Sequence, residues 1–319
     1  MRYARLILIV VALGVPATGA AETARAVKVT VLSTMLAGDP ARGIGEWGFA
    51  ALLEVDGRRV LIDAGQRPET VLRNAAELGI DLSDVTDLVI THNHSDHTGG
   101  LLTLRRELSA KNPAALSRAH VAKGIFDRRP RPDGSEGNGL LPMKAAYEAL
   151  GGRFIEHGGA TEIAPAVWLT GPVPRPHPER NWSGSGRVQA ADGLVEDTIP
   201  EDASLVVDTA EGLILVSGCG HAGVINTIEH ARKVVRTAPV VAAIGGFHLF
   251  AADDATLEWT GTKLKGFGLK FLLGAHCTGL EAVYRLRSMI GLTRKTAVVG
   301  AVGSSFTLGT GIGALALAG

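Results

Sequence analysis

The chain has 319 residues, 46% hydrophobic and 20% charged, a balance that excludes a disordered or fibrous protein. Lys+Arg and Asp+Glu both number 32, so no global positive field draws the chain to nucleic acid. Aromatic residues, at 5%, are too sparse for a stacking platform, whereas glycine, at 41 residues, is about twice its usual share.

Residues 1–26 carry Arg2 and Arg5, then an apolar run from Leu6 to Leu13, then small residues. This is the pattern of a secretory signal peptide, with cleavage after Ala20, Ala21 or Ala26. The run is too short for a permanent bilayer span, so no stable membrane anchor is expected. The expected organisation is a leader over 1–26 and one domain over 27–319, working in the periplasm or outside the cell and slightly acidic once Arg2 and Arg5 are removed.

Val27–Ser33, Ala50–Val55 and Arg59–Asp63 read as strands, the last two joined by the Asp56-Gly57 turn. Pro68–Leu78 has helical spacing and ends at Gly79. An apolar strand, Asp87–Thr91, runs into HNHSDHTGG, and a helix follows over Leu101–Leu108. Weaker strands at His120–Ala122 and Arg153–Glu156 flank a polar stretch, Asp127–Asn138, read as an exposed loop. Pro172–Gly193 is a second such loop. In the second half, a hairpin of Ser204–Asp208 and Leu213–Ser217 ends in GCGHAG, and a helix covers Val224–Val235. Strand Val240–Ile244 precedes GGFH, a helix spans Asp254–Leu264, strand Phe271–Gly274 precedes AHCTG, and a last helix spans Leu280–Met289. Strands bracketing helices in both halves predict an α/β protein whose sheets are covered by helices on their outer faces. The small apolar tail from Gly311 has no assigned role.

His92, His94, Asp96 and His97 place three imidazoles and a carboxylate within six residues at a strand-to-helix turn. Imidazole and carboxylate are the usual ligands of zinc and similar divalent ions. At an extended strand end, side chains 92 and 94 point the same way, and the turn lets Asp96 and His97 project into the same cavity. One loop can therefore serve two adjacent ions. Gly99 and Gly100 let the chain turn tightly and set a helix N-terminus beside the site. Cys219 and Cys277 are the only cysteines, too few for a disulfide scaffold, and each lies beside a histidine-bearing turn. Whether they pair is left open. His120, His157, His177 and His230 are read as incidental. Arg128, Arg129 and Arg131 are read as a solvated basic loop, with contact to an anionic substrate as the other reading.

The HxHxDH set, together with Leu61-Ile62-Asp63-Ala64-Gly65, resembles the metallo-β-lactamase-fold hydrolase superfamily. Pro200-Glu201-Asp202-Ala203-Ser204-Leu205, Ser217–Gly223, Gly245-Gly246-Phe247-His248 and His276-Cys277-Thr278-Gly279 narrow the resemblance. They point to a branch similar to dihydropterin ribofuranosylaminobenzene phosphate synthase-like proteins. The resemblance implies an αββα sandwich with metals at the edge of the two sheets. Members that cleave lactams or thioesters usually carry a GHTxGH-like turn and a bridging aspartate in a later Gly-Asp turn, and neither is evident here. Gly218-Cys219 stands at the second of these. The resemblance therefore implies His221 as the remaining imidazole, with Cys219 either a bridging thiolate or a side chain lining the pocket.

The expected cofactor is two divalent ions, zinc by ligand chemistry: His92, His94 and His221 on one, Asp96, His97 and His276 on the other, and Cys219 as a further candidate. Asp63 is expected to hydrogen-bond a ligand imidazole. Asp96 and His248 are the candidate catalytic residues, His248 also being able to orient a ligand or bind substrate. The function expected is an extracytoplasmic metal-dependent hydrolase using a metal-activated water on a small ester, lactone, amide or phosphate-containing molecule. The alternatives are a synthase-like enzyme of the same branch and a non-catalytic metal-binding sensor. The expected partner is a small-molecule substrate, not nucleic acid.

Overall fold

The central strands are buried on both faces, and their residues alternate between two cores. In β2 (Ala50–Val55), Ala51 and Leu53 face one core while Ala50 and Leu52 face another. In β12 (Gly212–Ser217), Ile214 and Val216 face the first core and Leu213 and Leu215 a third. Two sheets must therefore stack face to face, each with a helical layer outside it.

The computed structural model describes residues 22–316 and has this arrangement. The first sheet contains β1 (Val27–Ser33), β2, β3 (Arg58–Ile62), β4 (Asp87–Ile90), β5 (Arg118–Ala122) and β6 (Arg153–His157). The second contains β7 (Thr161–Ala164), β8 (Val167–Leu169), β11 (Ser204–Thr209), β12, β13 (Val240–Gly245), β14 (Phe271–Gly274) and β15 (Ala297–Val299). Strands β16 (Ser305–Thr307) and β17 (Gly311–Gly313) return to the first sheet beside β1. A separate ribbon pairs β9 (Arg187–Ala190) with β10 (Gly193–Glu196). Helices α1 (Thr70–Glu77), α3 (Leu101–Lys111) and α4 (Leu140–Ala149) supply the outer core of the first sheet. Helices α5 (Val224–Val234), α6 (Asp254–Gly266) and α7 (Leu280–Ile290) do the same for the second. The short α2 (Ser95–Thr98) belongs to the histidine-rich turn. The αββα sandwich is thus present.

The predicted helices recur with boundaries shifted by a few residues, α3 running on to Lys111 and α6 to Gly266. Helix α4 was not among the predicted elements; Gly139 precedes it and Pro142 stands in its first turn. The tail has a role after all: Gly311–Gly313 pairs with β16. The leader expected over 1–26 lies outside the described residues except for 22–26. There Ala24 is buried and its N–H donates to the carbonyl of Asp208 at 2.8 Å.

Two sets of parallel strands position the site. β3 and β4 end together in the first sheet. β12, β13 and β14 end level in the second, Ser217 opposite Gly245 and Gly245 opposite Gly274. The turns leaving these carboxyl ends converge at one edge of the sandwich, the place where open α/β sheets bind ligands.

Candidate metal centre

The turn after β4 carries His92, His94, Asp96 and His97; the turns after β12 and β14 bring Cys219, His221 and His276 against it. His92, His94 and His221 place one ligand atom each within 4.8 Å of one another, and Asp96, His97, Cys219 and His276 form a second such group. Cys219, His221 and His248 form a third, so the Cys219 sulfur lies where the two main groups meet. Every predicted ligand is in the cluster.

Asp63 organises more than the single imidazole expected of it. Its Oδ2 accepts from His97 Nδ1 at 2.7 Å and from Thr91 Oγ1 at 2.8 Å, while Oδ1 accepts the Thr91 N–H at 2.8 Å. Because the Thr91 hydroxyl donates to Asp63, it accepts from His92 Nδ1, which lies 3.0 Å away. Both imidazoles thereby keep a proton on Nδ1 and turn Nε2 to the cavity. His221 is held the same way by a different partner, the carbonyl of Asn181 at 2.5 Å from Nδ1. Asp63, His248 and His276, all at this edge, adopt positive φ values of 54°, 49° and 46°, a conformation uncommon for residues with a Cβ.

The Nε2 atoms of His92 and His221 and the Nδ1 of His276 are buried without a hydrogen-bond partner. Buried polar atoms are rarely left so, and the lone pair of a neutral imidazole aimed into a shared cavity suits a cation. Burial, then neighbouring imidazoles, hold His92 and His221 well below the ordinary histidine range, and burial brings His94 down to about 4. These three are neutral, the form that coordinates. Burial also opposes charge on His97, but Asp63 and Asp96 outweigh it and raise the imidazole to about 9. Burial would raise Asp96, yet His97 and His276 keep its carboxyl well below the usual carboxylate range. Its Oδ2 lies 3.2 Å from His276 Nε2 and 3.7 Å from His97 Nε2. Burial pushes the Cys219 thiol up, so a thiolate there needs a cation to offset it. The donor set fits divalent ions.

A mouth of about 290 Å³ opens onto His94, Asp96, Cys219, His221 and His276, with Trp47 and Phe250 at its rim. His248 also lines a larger adjoining cavity of about 620 Å³, walled by Arg180, Trp182, Asp253 and Trp259. Its Nδ1 is buried without a partner and its ring stands 4.6 Å from that of His221. His248 thus sits at the joint of a two-lobed cleft.

The stretch over 172–193, expected to be an exposed loop, is partly a strap on the His221 turn. Arg175 donates to the carbonyls of His221 and Ile199, and the Asn181 amide donates to the carbonyl of Gly220. Glu179 accepts the N–H groups of Ile225 and Asn226 at the start of α5. The basic loop needs a correction. Arg128 and Arg131 are exposed, but Arg129 is buried, bonding Asp197 at 2.7 Å and Glu201 at 2.6 Å. A buried guanidinium requires paired carboxylates, and those acids lie far along the chain. Of the histidines read as incidental, His120 is a buried strand residue whose Nδ1 is 3.0 Å from His157 Nε2 and whose Nε2 is 3.0 Å from Asp87, remote from the cluster. His177 pairs with Glu229, and His230 lies near the Thr170 carbonyl.

The family model described as the metallo-beta-lactamase superfamily matches residues 48–235, more than half of the chain, and the chain belongs to that superfamily. It is 29% identical over 264 residues to the 7,8-dihydropterin-6-methyl-4-(beta-D-ribofuranosyl)-aminobenzene-5'-phosphate synthase of Methanocaldococcus jannaschii, covering 80% of this chain and 89% of that one. Among solved structures it is similar to Tm1679, a metal-dependent hydrolase of the beta-lactamase superfamily, at 26% identity and a TM-score of 0.68, covering 88% of this chain and 98% of that one. The Zn(2+)-bound PqqB of Methylobacterium extorquens shares the fold at 13% identity and a TM-score of 0.55, over 87% of this chain and 99% of that one.

Proposed function

We propose that this chain is an extracytoplasmic, zinc-dependent enzyme of the synthase-like branch of its superfamily. On this reading it transfers a group from a phosphate-bearing small molecule to an acceptor held in the second lobe of the cleft. The observation that carries the proposal is the junction at His248 of a seven-residue ligand cluster and a cavity large enough for a second molecule. The likeness to the archaeal synthase over 89% of its length supports the same reading.

His92, His94 and His221 would hold one ion, and Asp96, His97 and His276 the other, with the Cys219 sulfur between them. Such ions supply Lewis acidity, polarising a phosphoryl or carbonyl oxygen and acidifying a nucleophile beside it. The Asp96 carboxylate, held ionised and partly exposed in the mouth, takes the acceptor's proton. His248 donates a proton to the leaving group at the joint of the lobes. Arg180 and the two tryptophans orient the acceptor in the larger lobe.

Hydrolysis, with water as the acceptor, is the second reading. It is favoured by the likeness to a metal-dependent hydrolase over 98% of that chain. Export would keep the protein from cytoplasmic pterin precursors, so the archaeal relative's own substrate is not carried over.

One experiment separates the readings. Zinc-loaded protein is incubated with phosphate esters, lactones and amides, with and without an arylamine acceptor, and the products are followed by mass spectrometry. A condensed product that needs the acceptor supports the synthase reading, and cleavage regardless of acceptor supports the hydrolase. In either case His94→Ala and Asp96→Ala should lower the rate by at least about a hundredfold. No turnover with ions fully bound would defeat both readings and favour a metal-binding sensor.

A further inference from the structure

We propose that Cys219 and Cys277 are an oxidative modification site: a dithiol that closes to a disulfide on meeting a small disulfide oxidant and, in closing, withdraws Cys219 from the candidate metal centre. The metal half of this inference rests on the proposed function. The dithiol half stands on geometry alone.

The two residues are 58 positions apart, yet their sulfurs lie 3.2 Å from each other and both are free thiols. Topology brings them together. Parallel strands β12, β13 and β14 end level, so the turn carrying Cys219 and the one carrying Cys277 flank the turn after β13. Gly246 in that middle turn makes the approach possible. A Cβ there would stand 2.0 Å from the Gly218 carbonyl oxygen and 2.9 Å from the Cys277 sulfur. Bonding distance is then about 1 Å of sulfur movement away, within reach of side-chain rotation.

Buried cysteines are usually inert apolar fillers. These two are also buried, but they have polar surroundings and lie at the floor of a cavity. Cys219 lies 3.2 Å from His97 Nε2, and the Cys277 thiol faces His248 and His276. Both line the mouth of about 290 Å³, so a small movement of its walls exposes them to a small reagent. Cys219 is the member with a second commitment, because it belongs to both ligand groups in which a sulfur appears. A sulfur in a disulfide is no longer a thiolate ligand. Bound metal and disulfide therefore compete for it.

The chemistry is two successive exchanges. One cysteine of the pair, as its thiolate, attacks one sulfur of the oxidant, breaking its S–S bond and releasing one small thiol. The other cysteine then attacks the protein sulfur of the mixed disulfide, forming the internal bond and releasing the second small thiol. Two electrons pass from the cysteine pair to the oxidant, and the two thiol protons leave on its products.

The test uses the reduced full-length protein, with and without zinc, exposed to bis(2-hydroxyethyl) disulfide. Titratable thiols are counted after denaturation, intact mass and cross-linked peptides are measured, and zinc uptake is read after removal of the reagent. The inference predicts that zinc-free protein loses both thiols and about 2 Da, with Cys219 joined to Cys277. Zinc uptake then falls by at least half, a thiol reductant restores it, and preloaded zinc slows closure at least about tenfold. The Cys277→Ser variant should instead form a mixed adduct at Cys219 and no internal bond. Retention of two titratable thiols in zinc-free protein, mixed adducts at both cysteines, or a disulfide with undiminished zinc uptake would overturn it. If the reduced protein takes up no zinc at all, the metal reading fails while the thiol count still decides the dithiol.

Discussion

Asp63 is the residue on which most of the site's geometry converges. Through its own carboxylate and the Thr91 hydroxyl it orients His97 and His92, which belong to different ligand groups. Asparagine in its place would keep the volume but offer a single acceptor oxygen. Asp63→Asn should therefore weaken metal binding about 10- to 100-fold, measured by competition with a chromogenic chelator, with an unchanged circular dichroism spectrum. Gly218 predicts the opposite kind of failure, too much material rather than too little charge. A Cβ there would lie 2.2 Å from Thr91 Oγ1 and 2.5 Å from Asp63 Oδ2, both fixed by hydrogen bonds. Gly218→Ala should displace this pair and cost at least as much metal affinity as Asp63→Asn; equal affinity to the parent would show that the turn yields. At this scale the sequence was most informative. Ligand-type residues crowded into one turn announce themselves, and so do His221 and His276 at glycine-rich strand ends. Asn181 gave no signal, because it contributes a backbone carbonyl that any residue could supply. Arg129 misled for a related reason: its partners Asp197 and Glu201 lie 68 and 72 positions away.

Among the elements, the strap over 175–181 and the strand pair β4–β5 carry separable predictions. Glu179 accepts from first-turn N–H groups of α5 that have no partner within the helix, which follows the His221 turn. Glu179→Ala should cost about 1 kcal/mol, read as a lower denaturant midpoint at unchanged slope. On β4, burial would raise Asp87, but His120, Arg118 and Thr86 bond its carboxylate and hold it below its ordinary 3.8. A depressed folded pKa contributes stability above the unfolded value and loses it as pH falls through the folded one. The melting temperature should therefore drop less steeply below about pH 4 in Asp87→Asn than in the parent. Identical acid limbs would remove Asp87 from that account. The long strands and amphipathic helices were legible because their apolar periods are clear. β7 to β10 were not: unlike the equally short β4 and β14, β7, β9 and β10 carry no continuous apolar run, β8 has only three residues, and their pairing is set by tertiary contact.

For the whole molecule, two stacked sheets explain why the ligands come from distant turns: parallel strands of both sheets end at one edge. Sequence spacing suggested the sheets, but only the pairing order shows which turns become neighbours, and so which histidines and cysteines meet. The same packing bears on the proposed leader. Ala24 is buried and bonded to Asp208, so a cut after Ala20 or Ala21 leaves this contact intact while one after Ala26 removes it. If the proposed export takes place, intact mass of the processed protein should place the new N-terminus at or before Ala24, and a start at Val27 would show the contact dispensable. Among the described residues, no helix is long and apolar enough to cross a membrane. The central claim is that the histidine-rich edge holds two divalent ions, and a crystal of zinc-loaded protein measured across the zinc absorption edge tests it most directly. Two anomalous peaks per chain are predicted, one among His92, His94 and His221 and one among Asp96, His97 and His276. No peak among these side chains, in a crystal that retains the fold, would contradict it.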